Sequence, residues 1–370
     1  MPEYYHWNQW LFLKLFQHGL AYRAQAPVVW CPSCQTVLAN EQVLNGACER
    51  CGTMITRRDL EQWFLKITDY ADELIDGLDD LDWPDETVRA QVNWIGRSDG
   101  ADISFTTRDG DVISVFTTRP DTLFGATFMV LAPEHPLVSK VTTGSHTVEV
   151  RDYVDAATRK SELDRVALDP DKTGVFTGGY AINPVNGEAL PIWIADYVLM
   201  SYGSGAIMAV PAHDERDFAF ASKFGIEIRP VIAPPGWDGT PFDQAYIGEG
   251  MLVNSGEFNG LGVEAACRAV TQHLKDGGTG DFAVNYRLRD WLISRQRYWG
   301  TPIPIVHCDD CGEVPIPEGQ LPVLLPRVDQ FDVQELRGKS PLEAAEDWVE
   351  TTCPSCEGPA RRETDTLGGF

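Results

Sequence analysis

A chain of 370 residues, 43% hydrophobic and 23% charged, is long enough for two or three domains with cores of their own. Its net charge of −25 excludes a general polyanion binder, because RNA contact needs basic patches that displace counterions; here they gather locally at Arg287, Arg289, Arg295 and Arg297. No apolar run reaches transmembrane length and no secretory signal opens the chain, so a cytoplasmic protein without membrane contact is expected, its acidity open to salt adaptation as one source.

Residues 3–18 read as an amphipathic helix, with Trp7, Trp10, Leu11, Leu13, Leu15 and Phe16 on one broad face and Gly19 ending it. Short strands are expected at 21–23 and 28–30. Cys31, Cys34, Cys48 and Cys51 form two C-x-x-C pairs enclosing thirteen residues. Four thiolates at this spacing converge on tetrahedral Zn²⁺, which substitutes for a core in so short a loop; a redox dithiol is the rival, and no neighbouring βαβ pattern supports it. Residues 57–78 are predicted to form a second helix with Leu60, Trp63, Phe64, Ile67, Tyr70 and Leu74 on one face, broken at Trp83 and Pro84.

Asn93–Ser98 then opens a new unit, and Ala283–Arg289 is its return partner, as expected of an inserted domain tethered by two strands. Between them lies a β-rich module. Hairpins turn at Asp109-Gly110 and Asn186-Gly187, Ala126–Leu131 is a buried strand, and 149–162 and 262–276 are surface helices with Cys267 as a small core residue. The Gly- and Pro-rich segment 234–260 reads as loop. Cys308, Cys311, Cys353 and Cys356 later frame forty-one residues, a wider ribbon and a weaker zinc signal than the first.

Two stretches carry chemistry. The strand Val112–Phe116 runs into Thr117, Thr118, Arg119, Pro120, Asp121 and Thr122, a turn with hydroxyls and one guanidinium fork; a plain polar loop is the alternative. Gly203–Asp217 ends in a predicted helix start, where Asp214, Glu215 and Asp217 favour the helix dipole. No Ser-His-Asp or Cys-His pair is visible, so water is the expected attacker of any bond cleaved here.

Together these stretches resemble the editing domain of the leucyl-tRNA synthetase family, and the form Ala209–Phe218 is that of the leucine enzymes. The resemblance runs from Pro2 to Thr366. It implies an α/β multidomain protein with remnants of a class I Rossmann-type catalytic domain, zinc ribbons and an inserted β-rich α/β editing domain. The expected divisions are catalytic segments at 1–30, 290–307 and 358–370, ribbons at 31–56 and 308–357, a helical connector at 57–92, and the editing domain with its tethers at 93–289.

The resemblance further implies hydrolysis of the ester joining a wrong amino acid to the 3′-terminal adenosine of tRNA(Leu). A near-isostere differs from leucine by about 1–3 kcal/mol in an apolar pocket, so a second, shape-excluding site is needed. Asp217 would hold the substrate ammonium, unless it is only a helix cap. Thr122 would crowd leucine's γ-carbon, and Thr117 and Thr118 would bond the ester carbonyl, ribose or water. Arg119 would meet the developing oxyanion or the terminal phosphate. Met208 and Val210 would form an apolar wall, or be ordinary core. Leu199 and Tyr202 would hold the adenine; Asp214 would start the helix and His213 would stand behind the site. Ser204 replaces the usual threonine and keeps its hydroxyl.

The ATP-binding His-x-Gly-His and Lys-Met-Ser-Lys-Ser segments of class I synthetases do not occur, so an internal fragment is expected, without leucine-dependent ATP–pyrophosphate exchange of its own. ATP, leucine and near-cognate amino acids belong to the parent enzyme. The rival readings are a stand-alone deacylase acting in trans and a non-catalytic zinc-ribbon RNA-binding subunit.

Overall fold

The computed structural model describes residues 2–34, 36–38, 42–44, 46–158, 160, 165, 172–200, 203–327 and 342–368. Two units emerge, one from 1–84 with 288–370 and one from 85–287.

The first unit begins with α1 (Pro2–Gln17), which buries Phe12 and Leu13. β1 (Ala21–Cys31) leads to β2 (Thr36–Leu38), then to the small hairpin of β3 (Val43–Leu44) and β4 (Ala47–Cys48). The predicted helix over 57–78 is not formed. Residues Thr56–Leu65 are instead β5, antiparallel to β1 from Ala21↔Leu65 to Trp30↔Thr56, and only Ala71–Asp76 (α2) is an α-helix. Pairing decides the matter: alternation sends Trp63 and Leu65 into one core while Phe64 stacks on Tyr22 on the other side. Tyr70 and Leu74, placed by helical periodicity on the apolar face, are exposed. Trp63 is the keystone, packing edge-on against Phe12 at 5.3 Å and donating its indole N–H to Glu363 at 2.8 Å.

The second unit opens with α3 (Asp85–Ile95), which the sequence reading put in the connector. Its sheet contains β6 (Arg97–Thr107), β7 (Val112–Thr117), β8 (Phe128–Leu131), β9 (Val175–Ile182), β10 (Ala189–Ile194), β11 (Ala206–Ala209) and β14 (Gly280–Tyr286). Strands run in the order β11-β8-β10-β9-β6-β14, with β7 also paired to β6. The β6–β7 and β9–β10 hairpins turn at the Asp-Gly and Asn-Gly signals. α4 (Val138–Val141) and α5 (Thr147–Ala157) follow β8, and a short pair, β12 (Ile232–Ala233) with β13 (Met251–Leu252), follows α6 (Glu215–Phe224).

β8 is buried at all four positions because both its faces are covered. Met129 and Leu131 join Ile103, Phe105 and Val115 in a core closed by Val270 and Leu274 of α7 (Val263–Asp276). Phe128 and Val130 face Phe220 of α6, and Phe128 stacks on Phe220 at 5.2 Å. Each such ring buried contributes about 1.5–3 kcal/mol. Gly225, left-handed at φ 67°, stops α6. The Ser204 hydroxyl donates to the Ser114 carbonyl, and β11 thereby lies against β7 as the sheet curls.

The first unit resumes with β15 (Trp291–Leu292), β16 (Ser294–Arg295) and β17 (Thr301–Pro302). β18 (Ile305–Cys308), β19 (Gly312–Pro315), α8 (Glu346–Val349), β20 (Glu350–Thr352), β21 (Pro359–Arg362) and β22 (Thr366–Leu367) complete it.

Candidate hydrolytic site and cysteine clusters

β7 ends at Thr117, whose hydroxyl accepts the Arg119 backbone N–H at 3.0 Å and turns the chain away from the sheet. Pro120 pre-sets φ for the 3₁₀ turn Pro120–Gly125, and the Thr122 hydroxyl donates to the Arg119 carbonyl at 2.8 Å. Thr122 is buried and its side chain is pinned by this bond; Thr118 is exposed. Arg119 forms a two-pronged ion pair with Asp121, Nε to Oδ1 at 3.0 Å and Nη2 to Oδ2 at 2.9 Å. Asp121 raises the Arg119 pKa further above its ordinary value, against the opposing effect of burial.

Gly125 is where this turn touches the second stretch. A Cβ there would lie 2.8 Å from Val231 Cγ2 and 3.2 Å from Val210 Cγ1, so no larger residue fits without displacement. Val210 lies just past the end of β11 and shares the core with Met208. Its backbone N–H donates to Asp217 Oδ2 at 2.9 Å. The contacts therefore run from the threonine turn through Val210 to Asp217.

The two aspartates divide their work. Asp214 is the helix cap, its Oδ1 accepting the N–H groups of Arg216 at 2.9 Å and Asp217 at 3.1 Å. Asp217 turns inward and is buried. Burial first, then the charge of Asp214, push its carboxyl up to about 8, while the Val210 N–H opposes the shift. The Tyr197 hydroxyl, whose pKa is raised by burial and by Asp217, has no hydrogen-bond partner among the described residues.

His213 is held on both sides. Nε2 accepts the N–H groups of Val231 at 2.9 Å and Ile232 at 3.1 Å, which leaves Nδ1 as the donor to the Tyr246 carbonyl at 2.8 Å. Burial lowers its pKa, so the ring is a neutral strut with no free nitrogen to take a proton. Leu199 is half-buried, and Tyr202 lies outside the described residues. Sequence reasoning gave Asp121 no role and read Cys267 as core. Arg-x-Asp spacing in the turn is the signal for Asp121; the thiol of Cys267, which donates to Asp121 Oδ1 at 3.2 Å, has no local signal.

In the other unit Cys31, Cys34, Cys48 and Cys51 form one cluster, and Cys308, Cys311, Cys353 and Cys356 another. Within each, the sulfur atoms lie within 4.8 Å of one another. Cys31 and Cys51 are 3.4 Å apart, Cys34 and Cys48 4.0 Å, and Cys308 and Cys356 3.6 Å. Tetrahedral thiolates around zinc stand about 3.8 Å apart, so both clusters fit such an ion. Backbone N–H groups of Cys34 and Ser355 point at the sulfurs of Cys31 and Cys353, as suits thiolates.

Residues 92–275 match the leucyl-tRNA synthetase editing domain, and residues 1–127 with 282–328 match the class I tRNA synthetases for I, L, M and V. The leucine–tRNA ligase of Rubrobacter xylanophilus is 59% identical over the whole chain, and that of Clostridium perfringens 57%. The chain spans about 45% of the length of these curated relatives. A crystal structure of an Agrobacterium radiobacter leucyl-tRNA synthetase in ternary complex with tRNA and LeuAMS is 39% identical with a TM-score of 0.76. The match covers 99% of this chain and 42% of that one. Carrying a catalytic-domain match on both sides of an editing-domain match, the chain belongs to the leucyl-tRNA synthetase family.

Proposed function

We propose that residues 93–289 hydrolyse the ester of mischarged tRNA(Leu), within a cytoplasmic enzyme that attaches leucine to tRNA using ATP. The observation that carries this reading is the continuous packing of the threonine turn, Val210 and the buried Asp217. Asp217 takes the substrate ammonium by a charge-assisted hydrogen bond, and Asp214 fixes the helix that presents it. Thr117 and Thr118 bond the ester carbonyl, the ribose or the attacking water, and Arg119 stabilises the developing oxyanion or holds the terminal phosphate. Thr122 excludes leucine, Met208 and Val210 wall the pocket, and Leu199 and Tyr202 hold the terminal adenine. His213 braces the loop behind them. Among the described residues no helix is long and apolar enough to cross a membrane.

The test is hydrolysis of norvalyl-tRNA(Leu) beside leucyl-tRNA(Leu) by the purified chain. Release of norvaline with leucyl-tRNA spared is expected. Equal rates on both, or none on either at high protein concentration, would refute the assignment.

The eight paired cysteines hold two structural Zn²⁺, the site at 31/34/48/51 more tightly than that at 308/311/353/356. Bound there, zinc supplies cross-linking of short loops that have little core of their own. Metal analysis of protein purified without chelator should find two Zn²⁺ per chain, the second site emptying first under a competing chelator. A metal content near zero with disulfides in its place would overturn this.

A further inference from the structure

Resting on the reading of the threonine turn as a hydrolytic site, we propose that Asp121 is a positioning residue that fixes the Arg119 guanidinium for its anionic target. Asp121 is fully buried, whereas the Arg119 side chain is 35% exposed. The fork occupies Nε–H and one N–H of Nη2. Three N–H groups of Arg119, two on Nη1 and one on Nη2, meet no acceptor among the described residues. They form the free edge of a plane whose other edge is clamped, the arrangement that lets a guanidinium meet a carbonyl oxyanion or a phosphate without first ordering itself.

A stabilising role alone accounts poorly for this geometry. A pair whose arginine is partly exposed gains little from its Coulomb attraction, and a carboxylate taken fully out of water is costly even when paired. Asp121 is also braced from outside the turn, because the Cys267 thiol on α7 donates to Oδ1, the oxygen that receives Nε–H. The carboxylate is thus held by a helix and in turn holds the arginine. The Thr122 hydroxyl bonded to the Arg119 carbonyl locks the backbone of the same residue. Side chain and main chain of Arg119 are both fixed by its own turn, while its free N–H groups are left for a ligand.

The experiment uses the whole chain with norvalyl-tRNA(Leu). Asp121→Asn keeps the size of the side chain, but its amide nitrogen turns donors toward the guanidinium and opens the fork. A roughly tenfold to hundredfold fall in kcat is expected, with KM for the tRNA changed less, because the loss falls on the transition state. Asp121→Glu keeps the carboxylate and should retain more of the rate than Asp121→Asn. In Arg119→Ala, millimolar guanidinium should restore part of the lost rate by docking on Asp121, and Arg119→Ala/Asp121→Asn should show no such rescue. A double variant no slower than Arg119→Ala completes the expected pattern. Full activity of Asp121→Asn beside an impaired Arg119→Ala would overturn the proposal alone. So would rescue that does not need Asp121, an additive double variant, or unfolding of both Asp121 variants, which would make the residue a strut. Wild-type rate in Arg119→Ala would instead overturn the underlying role of Arg119, and with it the proposal.

Discussion

Replacing Asp217 with alanine is expected to cut hydrolysis of norvalyl-tRNA, and of every other aminoacyl-tRNA the site accepts, by roughly tenfold or more. The ammonium group is common to all these substrates, so the loss does not depend on the side chain bound. Asp217 has a second task, accepting the Val210 N–H, and truncation to alanine leaves that donor unpaired. Asp217→Asn separates the two: the amide oxygen can still accept from Val210, but the charge is gone. It should be as inactive as Asp217→Ala while remaining folded. The pH profile sharpens the distinction. A free-enzyme pKa of about 8 means that Asp217 is mostly protonated at pH 7, and binding an ammonium must expel that proton. For the wild type kcat/KM should therefore climb with pH from 6 and turn over near 8, where the substrate α-amino group, pKa about 7.7–8.0, loses its own proton. In Asp217→Asn the rising limb should vanish. Stability follows with its own sign. The carboxyl is raised from 3.8 to about 8, so its proton favours the folded state fully below about pH 4, and that contribution declines as pH rises and is gone above 8. Denaturant unfolding of wild type should thus weaken relative to Asp217→Asn across this range. A folded Asp217→Ala with full activity would reduce Asp217 to a backbone strut.

Local chemistry was legible wherever it alone decides the structure. The Asp109-Gly110 and Asn186-Gly187 turns needed only left-handed glycines, at φ 91° and 74°, between strand-forming runs. α1 was legible as a helix stopped by Gly19, but its face was not: Trp7 and Leu11 are exposed, and Gln9, Phe12 and Leu13 are the buried positions, because the helix docks through contacts with distant segments. Where a distant partner decides, the reading failed. Residues 56–65 carry helix-like spacing, yet ten registered pairs with β1 make them a strand. The site was legible in part. The sequence reading makes Asp214 the helix start and turns Asp217, three residues on, inward, and in the structure Asp214 caps the helix while Asp217 is buried. The sequence reading puts His213 behind the site, and its three backbone partners at 231, 232 and 246, far along the chain, make it a neutral strut there. Asp121 sat in the motif without a role because its burial depends on α7, more than a hundred residues on.

Thr122→Ala is expected to open the pocket and expose correctly charged leucyl-tRNA to hydrolysis, a change of specificity rather than of rate. The hydroxyl of Thr122 is committed to the Arg119 carbonyl, which fixes χ1 and leaves the γ-methyl as rigid bulk. That geometry divides the side chain into two testable parts. Thr122→Ser keeps the hydrogen bond and removes the methyl; Thr122→Val keeps the bulk and removes the hydrogen bond. If exclusion is steric, serine should admit leucine almost as alanine does, and valine should still refuse it. One methyl in an apolar pocket is worth about 1–3 kcal/mol, so hydrolysis of leucyl-tRNA should rise roughly tenfold to two-hundredfold in the serine and alanine variants. Norvalyl-tRNA should be cleaved at near the wild-type rate in both. Valine removes the hydroxyl bond but leaves the Arg119 carbonyl its Thr122 backbone N–H at 3.1 Å, so its signature should be a modest loss of stability, about 0.5–1.5 kcal/mol, with selectivity intact. Circular dichroism melting of the three variants alongside deacylation of both substrates measures the two effects independently. A folded Thr122→Ala that spares leucyl-tRNA while cleaving norvalyl-tRNA normally would remove Thr122 from the sieve. A valine variant that admits leucine would assign selectivity to the hydrogen-bonded shape of the turn instead of the methyl.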